Sequence, residues 1–521
     1  MAPYRYDRLV LDEEYRQRIR RHRPSSLLPL IAAAGARYGQ PGQERAWLDS
    51  PFLKFTPWAL ADAARVALGA GTEFNRGTAT DRDLLEILAA YSALMEPTLH
   101  SNGDDAIRMR DFLLRTAGEQ FAWQNPTLPT LARTAAIYLQ SPMPEHRTPK
   151  YLTPGWDTDL FGCALPDYVG AAQTLWGTVL ACQGRFDPSY LDTPDGERIC
   201  GVVSRETTLG ILERHFAIDP AGFREAERRT AERLKKTPGA GHPQMRRFTH
   251  NPLHARPAVT GLPGSWLLCP VPQLVPRKVS PAGIYFTGMD RHGTGFTLET
   301  GYLFEQYIGR QLRLLPDAAV LPEITYTVRK QKLESVDWIV VFDDLVLLVE
   351  VKAAMPTENA HLGLADGVEE SVAKIGRAYR QINKTESLIA GRHPAFAQIP
   401  TDRPRHGIIV TLEPFHTTNT PLPIPGLPAP ALFTTVINAQ EIEHLVTLTS
   451  TSAADVLLAR ASDPDRSAWD IGTVLHQHQA SANPILEAAW DLYPWSTARR
   501  TATQADDRPH PDSGSAPPST S

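Results

Sequence analysis

Ser335-Val336-Asp337-Trp338-Ile339-Val340-Val341-Phe342-Asp343-Asp344-Leu345-Val346-Leu347-Leu348-Val349-Glu350-Val351-Lys352 is the stretch on which the fold of this chain turns. Two apolar runs, rich in β-branched and aromatic residues, flank Asp343-Asp344. Runs of this length and composition fit buried strands better than helices. Aspartate tolerates turn geometry and is depleted in strands, so the pair marks the turn of a β-hairpin. Pairing about that turn brings Asp337 opposite the neighbourhood of Glu350. Glu350 and Lys352 are two residues apart and project from one face of their strand. Three ionisable groups at one end of a buried hairpin are costly to desolvate unless they pair or bind a metal. Two readings follow from the hairpin alone. One is a salt bridge closing a strand end. The other is a site that holds a hard divalent cation and a nucleophilic water against a phosphodiester.

The flanking segments bear on that choice. Upstream, Phe304, Ile308, Leu312 and Leu315 recur at helical spacing, with Glu305 beside the apolar stripe. Ile324, Tyr326 and Val328 then alternate with Thr325, Thr327 and Arg329, as in a strand. Downstream, Val368, Val372, Ile375, Tyr379 and Ile382 form a second helical stripe, with Lys374 and Gln381 together on a neighbouring face. Residues Gly407 to Leu412 and Leu432 to Ile437 read as strands, and Asn438 as the cap of a helix that begins near Gln440. The expected order is helix, three strands, helix, strand, strand, helix.

This order, with Asp337 and Glu350-Val351-Lys352 on the second and third strands, resembles the PD-(D/E)xK superfamily of restriction-endonuclease-like nucleases. The resemblance covers roughly residues 295 to 447. Ser335-Val336 precedes the aspartate where the motif's name has proline. The resemblance implies an α/β nuclease core, a mixed sheet flanked by helices. It implies that Asp337 and Glu350, with the Val351 carbonyl, bind Mg²⁺ or Mn²⁺, an oxygen-ligand set of the kind magnesium prefers. It gives Lys352 the task of orienting or helping to deprotonate the attacking water. Glu305 matches an acidic residue of the first core helix that acts through metal or bound water. Gln381 resembles the glutamine of the exonuclease-type branch, and Lys374 is placed to contact phosphate. For Glu305, Gln381 and Lys374, a plain solvated helical face is an equal reading.

Composition bounds the rest. The chain has 521 residues and a net charge of −5, more length than one ordinary core needs and no global basic character. Nucleic-acid contact, expected to be with DNA, therefore falls to local patches. Arg16, Arg18, Arg20, Arg21 and Arg23 form one. Arg224, Arg228, Arg229, Arg233, Lys235 and Lys236 form another, interleaved with Glu225, Glu227 and Glu232, which reads as a solvated face with internal ion pairs. The first is the better candidate for phosphate, although a solvated face is again the plainer reading. Cys163, Cys182, Cys200 and Cys269 are widely spaced, without metal-ligand or disulfide-framework spacing. The sequence starts without a signal-peptide-type apolar segment and has no run that would span a bilayer, so a cytoplasmic protein is expected. No Gly-Lys-Ser/Thr phosphate loop argues for a built-in ATP motor.

The expected organisation is a mainly helical region over 1–240, a Pro-rich connecting arm over 241–294, and the nuclease-like domain over 295–447. A helical segment over 448–495 and a disordered Thr, Asp, Pro and Ser-rich tail over 496–521 follow. The helical region is the place for target reading, a protein partner or a homodimer contact. The function expected is a metal-dependent nuclease acting on DNA, in defence against foreign DNA or in repair. The alternatives are a catalytically silent nucleic-acid-binding or scaffold protein and an RNA-directed nuclease.

Overall fold

The computed structural model describes residues 8–38, 56–74, 77–97, 105–120, 128–200, 202–237, 240–264, 266–353, 365–415, 419, 427–467 and 471–496. The hairpin forms as its composition requires. Strands Trp338–Val341 and Val346–Lys352 pair antiparallel, with Trp338 opposite Val349 and Val341 opposite Val346. Both faces are covered. Trp338, Val340, Leu347, Val349 and Val351 enter one core, and Ile339, Val346 and Leu348 enter another. A strand buried on both sides has no reason to alternate with polar residues, which is why the sequence shows unbroken apolar runs.

The hairpin lies within a five-stranded mixed sheet. Its order is Thr434–Asn438, Arg405–Thr411, Val346–Lys352, Trp338–Val341, Ala319–Pro322. The first three strands are mutually parallel and the remaining pairings antiparallel. Helix Ala365–Ala390 packs on one face through Ile375, Ala378, Tyr379, Ile382 and Ile389. Helix Thr294–Leu312 packs on the other through Phe304, Tyr307, Ile308 and Leu312. Gly309 lets this helix approach closely, since a Cβ there would stand 2.1 Å from the Trp338 ring. Asn438 caps helix Ala439–Leu445 in a capping box with Glu441, as its position in the sequence suggests.

The strand expected around Ile324 to Val328 forms, but not in this sheet. Thr325–Val328 pairs with Gln331–Glu334 as a separate two-stranded ribbon. The place beside Trp338–Val341 belongs to Ala319–Pro322, with Pro322 opposite Trp338. That segment is short, lacks alternation and ends in proline, which an edge strand tolerates.

The helical half contains the expected helices as Pro57–Ala70, Asp81–Ser92, Asp105–Gln120 and Leu128–Tyr138. Residues 241–294 do not form an extended arm. Ala258–Val259 and Leu267–Leu268 join Arg185–Phe186 and Ala217–Ile218 in a small four-stranded sheet, and helices Leu274–Lys278 and Pro281–His292 follow. Of the prolines in this stretch, Pro276 lies in the first turn of Leu274–Lys278 and Pro281 opens its helix, where no N–H is missed, while Pro270 and Pro272 lie in the bend and turn before them. One apolar cluster runs without a break from Leu131 and Phe161 to Val349, Ile442 and Tyr493. The helical half from Leu131 on therefore packs into the same core as the mixed sheet, whereas the helices between Val10 and Leu94 pack with Phe223, Leu253 and Leu268 in a second cluster. The tail expectation, from residue 497 on, lies outside the described residues. Among the described residues no helix is long and apolar enough to cross a membrane.

Candidate active site

One residue beyond Trp338↔Val349, the register brings Asp337 opposite Glu350. Here side chains take over from the ladder. The Val351 N–H donates to Asp337 Oδ2 at 2.6 Å. Lys352 Nζ donates to Glu350 Oε1 at 2.6 Å. Glu350 is 4% exposed, and its other oxygen, Oε2, has no hydrogen-bond partner among the described residues. Asp337 and Lys352 are half-buried.

Two more carboxyls join this centre. Glu305 comes from helix Thr294–Leu312, fixed by its own carbonyl, which accepts from Trp338 Nε1 at 3.1 Å. Glu323 comes from the link between the edge strand and the ribbon. Burial, followed by the Asp337 and Glu323 charges, pushes Glu305 up to about 8. Burial and the Asp337 charge push Glu350 up to about 8, against the pull of Lys352. Burial, Glu334 and Asp337 raise Glu323 to about 7. Burial raises Asp337 as well, while Lys352 and the Val351 N–H oppose it. Burial works against the charge of Lys352, but Glu350 and Asp337 outweigh it and hold the ammonium protonated above its usual range.

Four carboxyls thus act on one half-buried ammonium, and burial raises each of them against its pull. A divalent cation would supply the compensating charge. The fit is to magnesium rather than zinc. Two carboxylates, the Val351 carbonyl and several waters suit a hard octahedral ion. Among the described residues no group of three or more His, Cys, Asp or Glu side chains is gathered closely enough to hold a metal ion, so the protein would offer at most the Asp337–Glu350 pair. The unpartnered Glu350 Oε2 is the observation that favours a ligand at this position.

Gln381 does not reach the carboxyls. Its Nε2 donates to the carbonyls of Glu334 and Ser335, both at 2.6 Å. One turn on, Thr385 Oγ1 accepts from the Val336 N–H at 3.1 Å. Helix Ala365–Ala390 thereby clamps the backbone that leads into Asp337, and Gln381 is a positioning residue. Lys374 is half-buried on the same helix. Of the basic patches, Arg16, Arg18 and Arg20 pair with Glu13 and Glu14, and Arg228 and Arg229 pair with Glu225. Both read as solvated, internally paired faces.

Sequence reasoning missed Glu323 and Arg147. Arg147 is exposed, lies 4.9 Å from the Tyr302 ring centre, and its charge lowers both Glu305 and Glu323. Its loop is tied down by Glu299, whose carboxylate accepts from the N–H groups of Lys150, Tyr151 and Leu152 at 2.7, 2.9 and 2.7 Å. No local pattern marks either residue, because each reaches the site only through the tertiary fold. Comparison with protein-family models, curated proteins and solved structures finds no match for this chain.

Proposed function

We propose that the chain is a metal-dependent phosphodiesterase acting on DNA, with a restriction-endonuclease-like core of the PD-(D/E)xK type over residues 295 to 447. The observation that carries this reading is the buried Glu350, shared between Lys352 and an unsatisfied Oε2 and facing Asp337 across the hairpin. A salt bridge alone would account for Lys352 with one carboxylate. It does not account for three further carboxyls whose ionisation the site opposes.

In this reading Asp337, Glu350 and the Val351 carbonyl hold Mg²⁺ or Mn²⁺. When bound, the ion supplies Lewis acidity that lowers the pKa of a coordinated water and offsets charge on the phosphate. Lys352 donates to the attacking water or to a phosphate oxygen and stabilises the added negative charge as the pentacovalent state forms. Glu305, whose burial keeps its carboxyl protonated at neutral pH, would accept a proton from the water only after releasing its own to solvent. Gln381 and Thr385 keep the Asp337 backbone in register. The Val351 N–H on Asp337 Oδ2 fixes that side chain's rotamer.

The test is cleavage of circular and linear, single- and double-stranded DNA and of RNA, with Mg²⁺ or Mn²⁺. DNA is expected to be cut and EDTA to abolish the reaction. Absence of cleavage of every substrate at each metal would overturn the proposal in favour of a silent binding protein. Cutting of RNA alone would correct the substrate.

A further inference from the structure

The ribbon Thr325–Glu334 stands apart from the main sheet and leads directly into Asp337. Val328 pairs with Gln331, so the turn is Arg329-Lys330 alone. Both residues have positive φ, 48° and 69°. A two-residue turn with both φ values positive favours Asn-Gly, because a Cβ is strained in that conformation. Here the turn carries two long cations instead. The strain is retained at a place that neither the sheet nor the core requires.

The two faces of the ribbon differ. Tyr326 is buried against His393 and Phe396, and Leu333 packs with it in the same cluster. Thr325, Thr327, Lys332 and Glu334 form the opposite face, and all four are exposed. Glu334 on this face is separated from Asp337 by Ser335 and Val336 alone. The exposed face is therefore continuous with the carboxylate centre at its base and basic at its tip. Among the described residues Arg329, Lys330 and Lys332 make no ion pair, in contrast to the paired arginines at 16, 18, 228 and 229. The tip lies within about 25 Å of Asp337 along the strand, the length of about seven base-pair steps.

We propose that this ribbon grips B-form duplex DNA, lying in the major groove with Arg329 and Lys330 on backbone phosphates and Lys332 following along the same strand. The major groove of B-DNA, about 12 Å wide, admits a two-stranded ribbon. The deep, narrow major groove of A-form RNA does not. The inference deepens the phosphodiesterase reading, because it takes the substrate strand to run from the ribbon into the carboxylate centre.

The experiment uses the full chain and a short duplex DNA, with binding followed by fluorescence anisotropy in EDTA, where cleavage plays no part. Arg329→Asn with Lys330→Gly installs the turn's preferred residues and removes both cations. Thermal stability should rise. Binding should weaken several-fold, and the slope of log affinity against log salt, between about 50 and 200 mM, should become shallower by about 1.8. Lys332→Thr should remove about half as much slope. Arg228→Ala with Arg229→Ala, on helix Pro220–Leu234, is the control and should leave the slope unchanged. An unchanged slope in both ribbon variants would overturn the proposal, as would equal or tighter binding to duplex RNA or single-stranded DNA. A weakened ribbon variant in a protein that cuts nothing in Mg²⁺ would retain the ribbon and overturn the reaction. Cleavage by a wild-type protein whose ribbon variants bind normally would do the reverse.

Discussion

Glu443→Gln should cost this protein more stability than any exposed charge change. Glu443 is 5% exposed and Arg133 7%. The guanidinium grips the carboxylate with two nitrogens, Nη2 donating to Oε2 at 2.6 Å and Nε to Oε1. Tyr307 OH donates to the same Oε1 at 2.6 Å, and Gln311 Nε2 donates to that hydroxyl at 2.9 Å. Asn483 Nδ2 closes the network on Gln311 Oε1 at 2.7 Å. Helices Leu128–Tyr138, Thr294–Leu312 and Ala439–Leu445 and the C-terminal segment thus meet at one carboxylate. Breaking a buried pair from one side strands a charge, at a cost of about 3–5 kcal/mol, whereas exposed pairs contribute about 0–1. Against a usual total of about 5–15 kcal/mol this is a large fraction. The expected loss for Glu443→Gln, and likewise for Arg133→Ala, is about 4 kcal/mol. The triple change Arg133→Met, Tyr307→Phe, Glu443→Leu removes charge and hydrogen-bonding donors together and should cost less than either single change. Urea unfolding followed by tryptophan fluorescence measures all three. Single variants within about 1 kcal/mol of wild type, or a triple variant worse than both, would refute the claim that this network fastens the helical half to the sheet.

Further outcomes follow from the carboxylate centre. Glu350 is raised to about 8, so the folded protein retains a proton that the unfolded chain releases above about 4.5. Without metal, stability should therefore fall as pH rises from about 4.5 to 8, by up to about 1.4 kcal/mol per pH unit for this group. Mg²⁺ needs the carboxylates ionised, so its stabilisation should be larger at pH 8.5 than at pH 6, with protons released on binding. Thermal melts at the two pH values check this; Glu350→Gln should lose the Mg²⁺ effect and only its own share of the pH dependence, because Glu305 and Glu323 are raised as well. Gln381→Ala frees the carbonyls of Glu334 and Ser335 and should lower kcat with little change in KM, while sparing duplex affinity in EDTA. A KM effect alone would place Gln381 on the substrate instead. Glu299→Ala leaves three N–H groups of residues 150–152 unsatisfied and should cost about 1–3 kcal/mol, while speeding proteolysis of that loop.

The parts legible in the sequence are those whose cause is local. The hairpin runs, the Asp343-Asp344 turn, the stripe of Phe304, Ile308 and Leu312 and the Asn438 cap each follow from neighbours a few residues apart. The Asp337–Glu350 facing follows from the hairpin register. Ala319–Pro322 and Gln331–Glu334 escaped, since neither has a buried alternation to announce a strand. Gln381 shares a helix face with Lys374, as the spacing shows, but its reach to the Glu334 and Ser335 carbonyls depends on how the helix crosses the sheet. Glu323, Arg147 and the Arg133–Glu443 pair depend on contacts across long separations, 310 residues in the last case, which periodicity does not carry.

The most direct measurement is the rate of DNA cleavage in Mg²⁺ by Asp337→Asn, beside wild type and beside Lys352→Ala. Both substitutions keep the chain's volume or shorten a half-exposed side chain, so the folded state is checked by the same urea curve. Wild type should cut, and each variant should lose at least about a hundredfold in rate, as removal of a transition-state contact does. Full activity in either variant would contradict it.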